Sequence, residues 1–112
     1  MADRYEEPAP VTRPVYEAIM ATGTEEARRS ALVGLTLHGG HLDYVRDQCL
    51  RLIESESWQM RAVAATCLGH LARIHGRLGS DRVRPALRSL LDDPRTAGAA
   101  ENALEDIAMF AG

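Results

Sequence analysis

Histidine and cysteine side chains are the first candidates for chemistry in this chain, because neutral imidazole and thiolate are the usual zinc ligands. One group is Cys67, His70 and His75, and a second is His38 with His41. If residues 57 to 77 form a helix, His70 points about 60° to 140° away from the other two members of the first group. We therefore predict no metal site and no cofactor, with His75 packed and His70 at the surface.

Residues for nucleophilic or phosphate chemistry occur without the motifs that such chemistry needs. Serine, histidine and acidic residues are present, but no serine stands in a nucleophile elbow. The pair Gly39-Gly40 follows an apolar periodic segment, which indicates a helix stop and not a phosphate-binding loop. The chain is therefore predicted not to be an enzyme.

All 13 basic residues are arginine, and their distribution divides the chain into three regions. Residues 1–60, 61–91 and 92–112 carry net charges of −4, +5 and −4, because they contain 6, 6 and 1 arginines against 10, 1 and 5 acids. The basic region includes a cluster formed by Arg73, Arg77, Arg82, Arg84 and Arg88. A protein that binds nucleic acid needs such a cluster to neutralise the phosphates. The acidic flanks and the lack of aromatic residues among these arginines favour a solvated face instead, so nucleic acid is the second choice.

Apolar residues recur at helical spacing along most of the chain, with start and stop signals between the segments. The predicted helices are Pro14 to about Ala21, Glu25 to about His38, Leu42 to about Glu54, a central helix between Ser57 and Gly76, Arg82 to Leu91, and Thr96 to Phe110. No window alternates with a period of two, so no sheet is expected. The result is an all-α fold of three antiparallel helix pairs.

The central helix has the clearest pattern. Its predicted buried side consists of Met60, Val63, Ala64, Cys67, Leu68, Leu71, Ile74 and His75. The opposite side carries Gln59, Thr66, His70, Arg73 and Arg77. This division is typical of an amphipathic helix with one face in a core. Trp58 lies near the boundary, where both core packing and a role as an interface anchor stay open.

The run from Met60 to Leu71 resembles the second helix of a HEAT repeat, in which an aliphatic residue and an arginine precede a small pair and a leucine. The pattern returns at fixed offsets. Arg28, Ala31 and Leu35 stand 33 residues before Arg61, Ala64 and Leu68, and Ala100, Leu104 and Ile107 stand 36 residues after Ala64, Leu68 and Leu71. The third copy has Ala97 at the arginine position, so a continuous arginine ladder is not expected. The resemblance implies a short right-handed α-solenoid of about three antiparallel helix pairs.

The same resemblance implies a partner-binding groove, because the second helices of successive HEAT pairs line one side of the stack. Its aligned rows are Arg29, Ala62 and Gly98; Val33, Thr66 and Asn102; and Leu37, His70 and Asp106, with Glu26, Gln59 and Arg95 at one end. The predicted partner-binding residues are Arg29, Val33, Leu37, Gln59, Thr66, His70, Arg73, Asn102 and Asp106. Val33 and Leu37 are aliphatic residues expected to face outward, as in a protein-binding patch. Contact with the N-terminal arm or the first helix would explain them equally.

Length and composition predict one domain, since 112 residues bury roughly two-thirds of their unfolded surface. Residues 1–13 have no apolar period, which predicts a flexible arm before a single helical domain over residues 14–112. No apolar run approaches the roughly 18 residues of a membrane span, and the acidic start is unlike a signal peptide. A cytosolic protein is therefore expected, with Cys49 and Cys67 as reduced core thiols.

These observations favour a non-enzymatic module that binds one protein partner through a rigid groove. Small stand-alone proteins of this type resemble bacterial immunity proteins, and that resemblance implies a toxin as the partner and occlusion of its active site as the mechanism. Two alternatives stay open. One is a nucleic-acid-binding HEAT-like module that uses the stretch from Arg73 to Arg88, and the other is an auxiliary subunit of an enzyme complex.

Overall fold

Six α-helices form the regular structure of the described residues, which are 11–38 and 40–112 of a computed structural model. The helices are α1 (Arg13–Thr22), α2 (Glu25–His38), α3 (Leu42–Leu52), α4 (Trp58–His75), α5 (Val83–Arg88) and α6 (Pro94–Phe110). No strand occurs in these two ranges. The all-α fold predicted from the sequence is confirmed.

Polar side chains cap the starts of the three longest helices, where the first backbone N–H groups have no partner within the helix. The hydrogen bonds run from Ala27 N–H to Thr24 Oγ1 at 3.1 Å, from Met60 N–H to Ser57 Oγ at 3.2 Å and from Arg95 N–H to Asp93 Oδ1 at 2.9 Å. The three capping residues stand 33 and 36 residues apart. The helix starts therefore follow the sequence repeat.

A left-handed glycine ends α4. Gly76 has a φ of 69°, and its N–H donates to the carbonyl of Ala72 at 2.9 Å. This conformation favours glycine because it has no Cβ. The predicted N-cap and C-cap of the central helix, Ser57 and Gly76, are both confirmed. After α2 the chain has another left-handed glycine, Gly40 at φ 70°, whereas Gly39 lies outside the described residues.

Two helices begin earlier than predicted because a proline stands in the first turn. α1 begins at Arg13 with Thr12 as its N-cap, and α6 begins at Pro94 with Asp93 as its N-cap, not at Thr96. The first N–H groups of a helix lack helical partners in any case, so a proline there costs little.

Two helices end earlier than predicted. α3 ends at Leu52 instead of Glu54, and α5 ends at Arg88 instead of Leu91. In both cases the next residues form i→i+3 hydrogen bonds, such as Leu91 N–H to Arg88 O at 3.1 Å and Ser55 N–H to Leu52 O at 3.0 Å. The chain tightens into turns at these points, which is common at helix ends.

Consecutive helices pack in pairs, α1 on α2, α3 on α4 and α5 on α6, and the second members of the pairs also pack on each other. The first turns of α2, α4 and α6 lie together. The hydroxyl of Ser57 before α4 donates to Glu25 in α2, and Arg61 in α4 lies 3.2 Å from the carboxylate of Asp93 before α6. We call α2, α4 and α6 the inner helices and α1, α3 and α5 the outer helices.

The inner helices α4 and α6 approach closely at Gly69. A Cβ added there would lie 3.2 Å from Cα of Ala103 and 2.8 Å from Oδ2 of Asp106. Any other residue would force Ala103 to move back by a few tenths of an ångström and the Asp106 side chain to turn away. One turn later, Nε of Arg73 lies 3.8 Å from Oδ2 of Asp106, so the contact continues along the helices.

The core lies between the inner and outer helices. Its largest fully buried side chains are Tyr16, Leu32, Leu35, Leu68, Leu71, Leu87, Ile107, Val45, Val83, Thr96, Cys49 and Cys67. The side-chain hydrogen bond to Cys67, together with burial, raises the pKa of the Cys49 thiol, which keeps it protonated. Both free cysteines lie where the helical spacing of the sequence places them.

The prediction that Ile74 lies on the buried side of α4 is wrong, because 50% of the surface of Ile74 is exposed. α2 ends at His38, which aligns with Leu71 at the 33-residue offset. In the described ranges, the last turn of α4 therefore has no inner helix beside it on that side.

Most of the predicted arm, residues 1–10, lies outside the described residues, and Arg13 already belongs to α1. In the two described ranges, none of the helices has the length and apolar character needed to cross a membrane.

Candidate functional site

The predicted partner-binding residues all lie on the inner helices and outside the core. They are Arg29, Val33 and Leu37 on α2, Gln59, Thr66, His70 and Arg73 on α4, and Asn102 and Asp106 on α6. Five of them are exposed, and Arg29, Val33, His70 and Asp106 are half-buried. We call the surface formed by these nine residues the inner face.

A surface cavity of about 310 Å³ lies along α2. Its lining consists of Arg29, Ser30, Val33, Gly34, Leu37 and His38, and most of that lining is apolar. Leu37 is 44% exposed, which is high for a large aliphatic side chain. Sequence analysis identified three of these residues and missed Ser30, Gly34 and His38, each of which directly follows one of the three in the chain.

Among the residues that the structure describes, the middle of the inner face carries no uncompensated charge. Thr66 is exposed and polar, and His70 is half-buried in contact with Arg73. Burial, followed by the neighbouring Arg73 charge, holds the pKa of His70 below its ordinary value. The imidazole is therefore more readily neutral than an exposed histidine, while Arg73 pairs with Asp106.

One stripe of α6, on the side turned away from α4, carries Glu101, Glu105 and Met109 at i, i+4 spacing. All three are exposed, Met109 to 75%. Neither glutamate side chain has an ion pair or a hydrogen bond to any of the described residues. Sequence analysis missed this stripe, although its spacing and the acidic balance of residues 92–112 are visible in the sequence.

Arg29, Arg73 and Arg95 are paired, unlike the glutamates. Arg29 lies 3.0 Å from the carboxylate of Glu25, Arg73 pairs with Asp106, and Arg95 lies 3.1 Å from Asp93. Glu26 at the start of α2 is exposed and, within residues 11–38 and 40–112, has no such partner. The uncompensated charge at the inner face is therefore negative.

The five arginines of the predicted basic patch are spread over several surfaces. Arg73 belongs to the inner face, Arg77 lines a cleft beside α3, and Arg82 lines a different cleft beside α3. Arg84 and Arg88 are exposed one turn apart on α5. The acids Asp47 and Glu54 share the second cleft with Arg82. The structure therefore brings together only part of the cluster.

The candidate metal ligands do not assemble in the described part of the chain, where no three His, Cys, Asp or Glu side chains are placed to hold a metal ion. Cys67 is buried in the core, whereas His70 and His75 are half-buried. His75 and His41 line the same cleft as Arg77, a pairing that the sequence analysis did not anticipate.

Comparisons with protein-family models and with curated proteins give no match. Among solved structures, the chain is similar to a chain in the crystal structure of a CDI complex from Cupriavidus taiwanensis LMG 19424. The two chains are 28% identical, the TM-score is 0.83, and the match covers 96% of each chain. This protein therefore shares its overall fold with a component of a CDI complex.

Proposed function

We propose that this chain is a non-enzymatic, cytoplasmic immunity protein that binds and occludes a cognate toxin, and that its three helix pairs form a right-handed HEAT-like solenoid. The observation that carries the proposal is the similarity, over 96% of the chain, to a component of a CDI complex, in which CDI stands for contact-dependent inhibition. An inhibition system needs a component that protects the cell that produces the inhibitor. A small chain without a catalytic motif is suited to that role.

The inner face supports the proposal because its helices are held firmly relative to one another. The close approach at Gly69 and the ion pair between Arg61 and Asp93 join α4 to α6. A surface that is already ordered loses little conformational entropy when a partner binds. More of the free energy of the contacts then appears as affinity for the partner.

The dimensions of the protein are sufficient for occlusion. Its extents are 42 × 29 × 29 Å. A standard protein interface buries about 800 Å² on each partner, which corresponds to a disc roughly 30 Å across. If a toxin binds across all three inner helices, this chain covers an area wide enough to close the active site of the toxin.

The experiment searches the genes next to this one for a toxin domain and then measures whether this chain protects cells that express it. The unmodified chain should restore growth and co-purify with the toxin. Thr66→Arg places a long charged side chain at the middle of the inner face and should weaken binding by tenfold or more, because hot spots lie near the centre of an interface. Its effect on the free energy of unfolding should stay within about 0.5 kcal/mol, as for other surface changes.

The matched control is Ala18→Arg, which adds the same side chain to an exposed position of the outer helix α1. This variant should bind and protect like the unmodified chain. Failure of the unmodified chain to bind the toxin would overturn the proposed function. Equal binding by a folded Thr66→Arg variant would move the interface away from the inner face.

The nucleic-acid alternative ranks second because the arginines from Arg73 to Arg88 do not form one surface and because the uncompensated charge of the inner face repels phosphate. The role as an auxiliary subunit of an enzyme complex would use the same inner face with a different protein partner.

A further inference from the structure

We infer that a helix of the toxin packs along α2, with a large apolar side chain in the cavity and a basic side chain opposite Glu26. This inference rests on the proposed function and adds the chemistry of the partner segment. Glu26 stands four residues before Ser30 and seven before Val33, so it lies on the same stripe of α2 as the cavity. We call the cavity residues and Glu26 together the α2 groove.

The α2 groove lies where a later inner helix receives its neighbour. In α6, Ala103 lies against Gly69 of α4, and Asp106 follows one turn later. The 33 and 36 residue offsets place Gly34 and Leu37 at the corresponding positions of α2, and both line the cavity. In the described part of the chain no inner helix precedes α2, so this position lacks the neighbour that α4 provides for α6. The surface is therefore shaped to receive a helix.

The cavity has room for a large apolar side chain of that helix. Its volume is about 310 Å³, and Val33 and Leu37 supply aliphatic surface, whereas Gly34 has no side chain to occupy the space. From Arg29 to His38, α2 rises by roughly 14 Å, which is more than two turns of a helix packed beside it. Leu37 is nearly half exposed and becomes buried when the cavity is filled.

The charge beside the cavity selects a basic residue. Glu26 is exposed and has no ion pair with any residue that the structure describes. The neighbouring Arg29 pairs with Glu25 at 3.0 Å. A Lys or Arg opposite Glu26 therefore gains attraction without breaking an internal pair. The seven residues from Glu26 to Val33 span roughly 10 Å along the axis, so the toxin helix carries its basic residue about two turns from its apolar one.

Charge also argues against a second copy of this chain as the occupant. A copy that continued the array head to tail would place its α6 against α2. Glu105 stands 36 residues after Gly69, so the carboxylate of the copy would take the place of that glycine and face Gly34 in the apolar cavity. Burying an unpaired carboxylate there is unfavourable. The glutamates of α6 thus close one end of the layer, whereas α2 leaves the other end open to a partner.

The test of the cavity measures the dissociation constant of the complex with the purified toxin domain. Leu37→Asp should weaken binding by about tenfold or more, because it places a charge in the apolar cavity. Leu37→Ala keeps a good helix former and should weaken binding by roughly threefold or more. Full affinity of both variants would overturn the inference and leave the proposed function intact. If the unmodified chain and the toxin form no complex, the proposed function itself fails.

The test of the charge repeats the measurement at several salt concentrations. Glu26→Lys should weaken binding by roughly tenfold at low salt and by less at high salt, because ions screen exposed charges. The matched control is Glu101→Lys, which makes the same change at an exposed position of α6 on the side turned away from α4. It should leave the affinity nearly unchanged. Equal effects of the two variants would overturn the basic residue opposite Glu26.

Hydrogen exchange of the toxin domain, free and bound, locates the segment that packs on α2. The protected segment should be a helix with a basic residue about two turns from a large apolar residue. Replacing that apolar residue with alanine should have little further effect in the Leu37→Ala background, because side chains in contact give non-additive effects. Additive effects, or protection confined to segments that are not helical, would overturn the inference.

Two other occupants of the cavity are tested with the full chain. The free protein should sediment as a monomer at the concentrations used for binding, and a dimer that Leu37→Asp dissociates would assign the cavity to self-association. Tyr5→Ala removes a large side chain of the N-terminal arm and should leave the affinity for the toxin unchanged. Tighter binding by that variant would assign the cavity to the arm and overturn the inference.

Discussion

The contact of α4 with α6 and the contact of α4 with α2 start from the same repeated sequence but are built differently. At the α6 side, Arg61 donates to the carbonyls of Ser55 at 2.8 Å and Glu56 at 3.2 Å and pairs with Asp93. Asp93 also caps α6 and binds Arg95. One half-buried arginine thus joins the α3–α4 turn to the start of the next inner helix.

At the α2 side the equivalent arginine has no such role. Arg28 stands 33 residues before Arg61, and its buried Nε has no hydrogen-bond partner among the described residues. The cap of the following inner helix is Ser57, which is not a carboxylate and binds Glu25 instead. The two contacts therefore differ both in the cap residue and in the pairing of the repeat arginine.

The difference also concerns function. The more extensive contact holds α6, which carries the acidic stripe, and the less extensive one holds α2, which carries the cavity. A charged surface profits from rigidity, because fixed charges steer a partner without reorganisation. A cavity that receives a side chain tolerates small adjustments of its walls.

The largest expected effect comes from breaking the close approach of α4 and α6. Gly69→Val introduces a side chain where even a Cβ would lie 3.2 Å from the backbone of Ala103. We expect a loss of about 1–3 kcal/mol in the free energy of unfolding, as for other overpacked sites. Urea denaturation measures it.

Gly98→Val is the matched control, because a Cβ at Gly98 has no neighbour within 4 Å. Its stability should be unchanged or slightly higher, since valine is a better helix former than glycine. Equal stability of the two variants would show that α4 and α6 are not closely packed at Gly69.

A smaller effect is expected from Asp93→Asn, which keeps a capping oxygen but removes the charge. The side-chain hydrogen bond from Arg95 holds the pKa of Asp93 below its ordinary value of 3.8, with a further contribution from Arg61. A lowered pKa in the folded state stabilises the protein above the unfolded pKa, and this stability is lost as the pH falls through the folded pKa. The variant should therefore melt below the unmodified protein at neutral pH, and the gap should close below about pH 3.8.

Thermal melting across this pH range checks the prediction, with Asp92→Asn as the control. Asp92 is exposed next to the cap and, in the described part of the chain, makes no ion pair. A gap between Asp93→Asn and the unmodified protein that stays constant with pH would contradict the ion-pair explanation.

The smallest expected effect comes from giving the α2 side the missing carboxylate. Ser57→Asp, made together with Glu25→Gln to remove repulsion, places an acid at the position that corresponds to Asp93. Pairing with Arg28 should then add about 0.5 kcal/mol, in the range of partly exposed ion pairs. Ser57→Asn in the same background caps the helix equally well without a charge and should add nothing. Equal stability of the two variants would place Arg28 out of reach of the cap.

Local rules were sufficient to predict most of the fold. Ser57 and Gly76 bound α4 because capping and the left-handed turn depend on neighbouring residues alone. The predicted bounds of α1, α3, α5 and α6 differ from the observed ones by a few residues. At these ends a proline in the first turn or an i→i+3 turn after the last one sets the bound. The buried side of α4 was also predictable, except at Ile74, which is exposed, and at Val63 and His75, which are half-buried.

The positions of the inner face come from the sequence repeat, because the 33 and 36 residue offsets place Val33, Thr66 and Asn102 at equivalent positions of the three inner helices. The offsets do not say which side chains form ion pairs. The ion pair between Arg73 and Asp106 and the unpaired charge of Glu105 therefore did not follow from the offsets.

The sequence by itself determined the helices, their caps and their buried sides, because these depend on residues within a few positions of each other. The tertiary structure alone decided the cavity on α2, the dispersal of the arginines from Arg73 to Arg88 and the exposure of Ile74. Each of these depends on how far one helix extends beside another and on which way it is turned. Those quantities are fixed by packing between pairs, where a single glycine or a single capping carboxylate changes the distance or the partner.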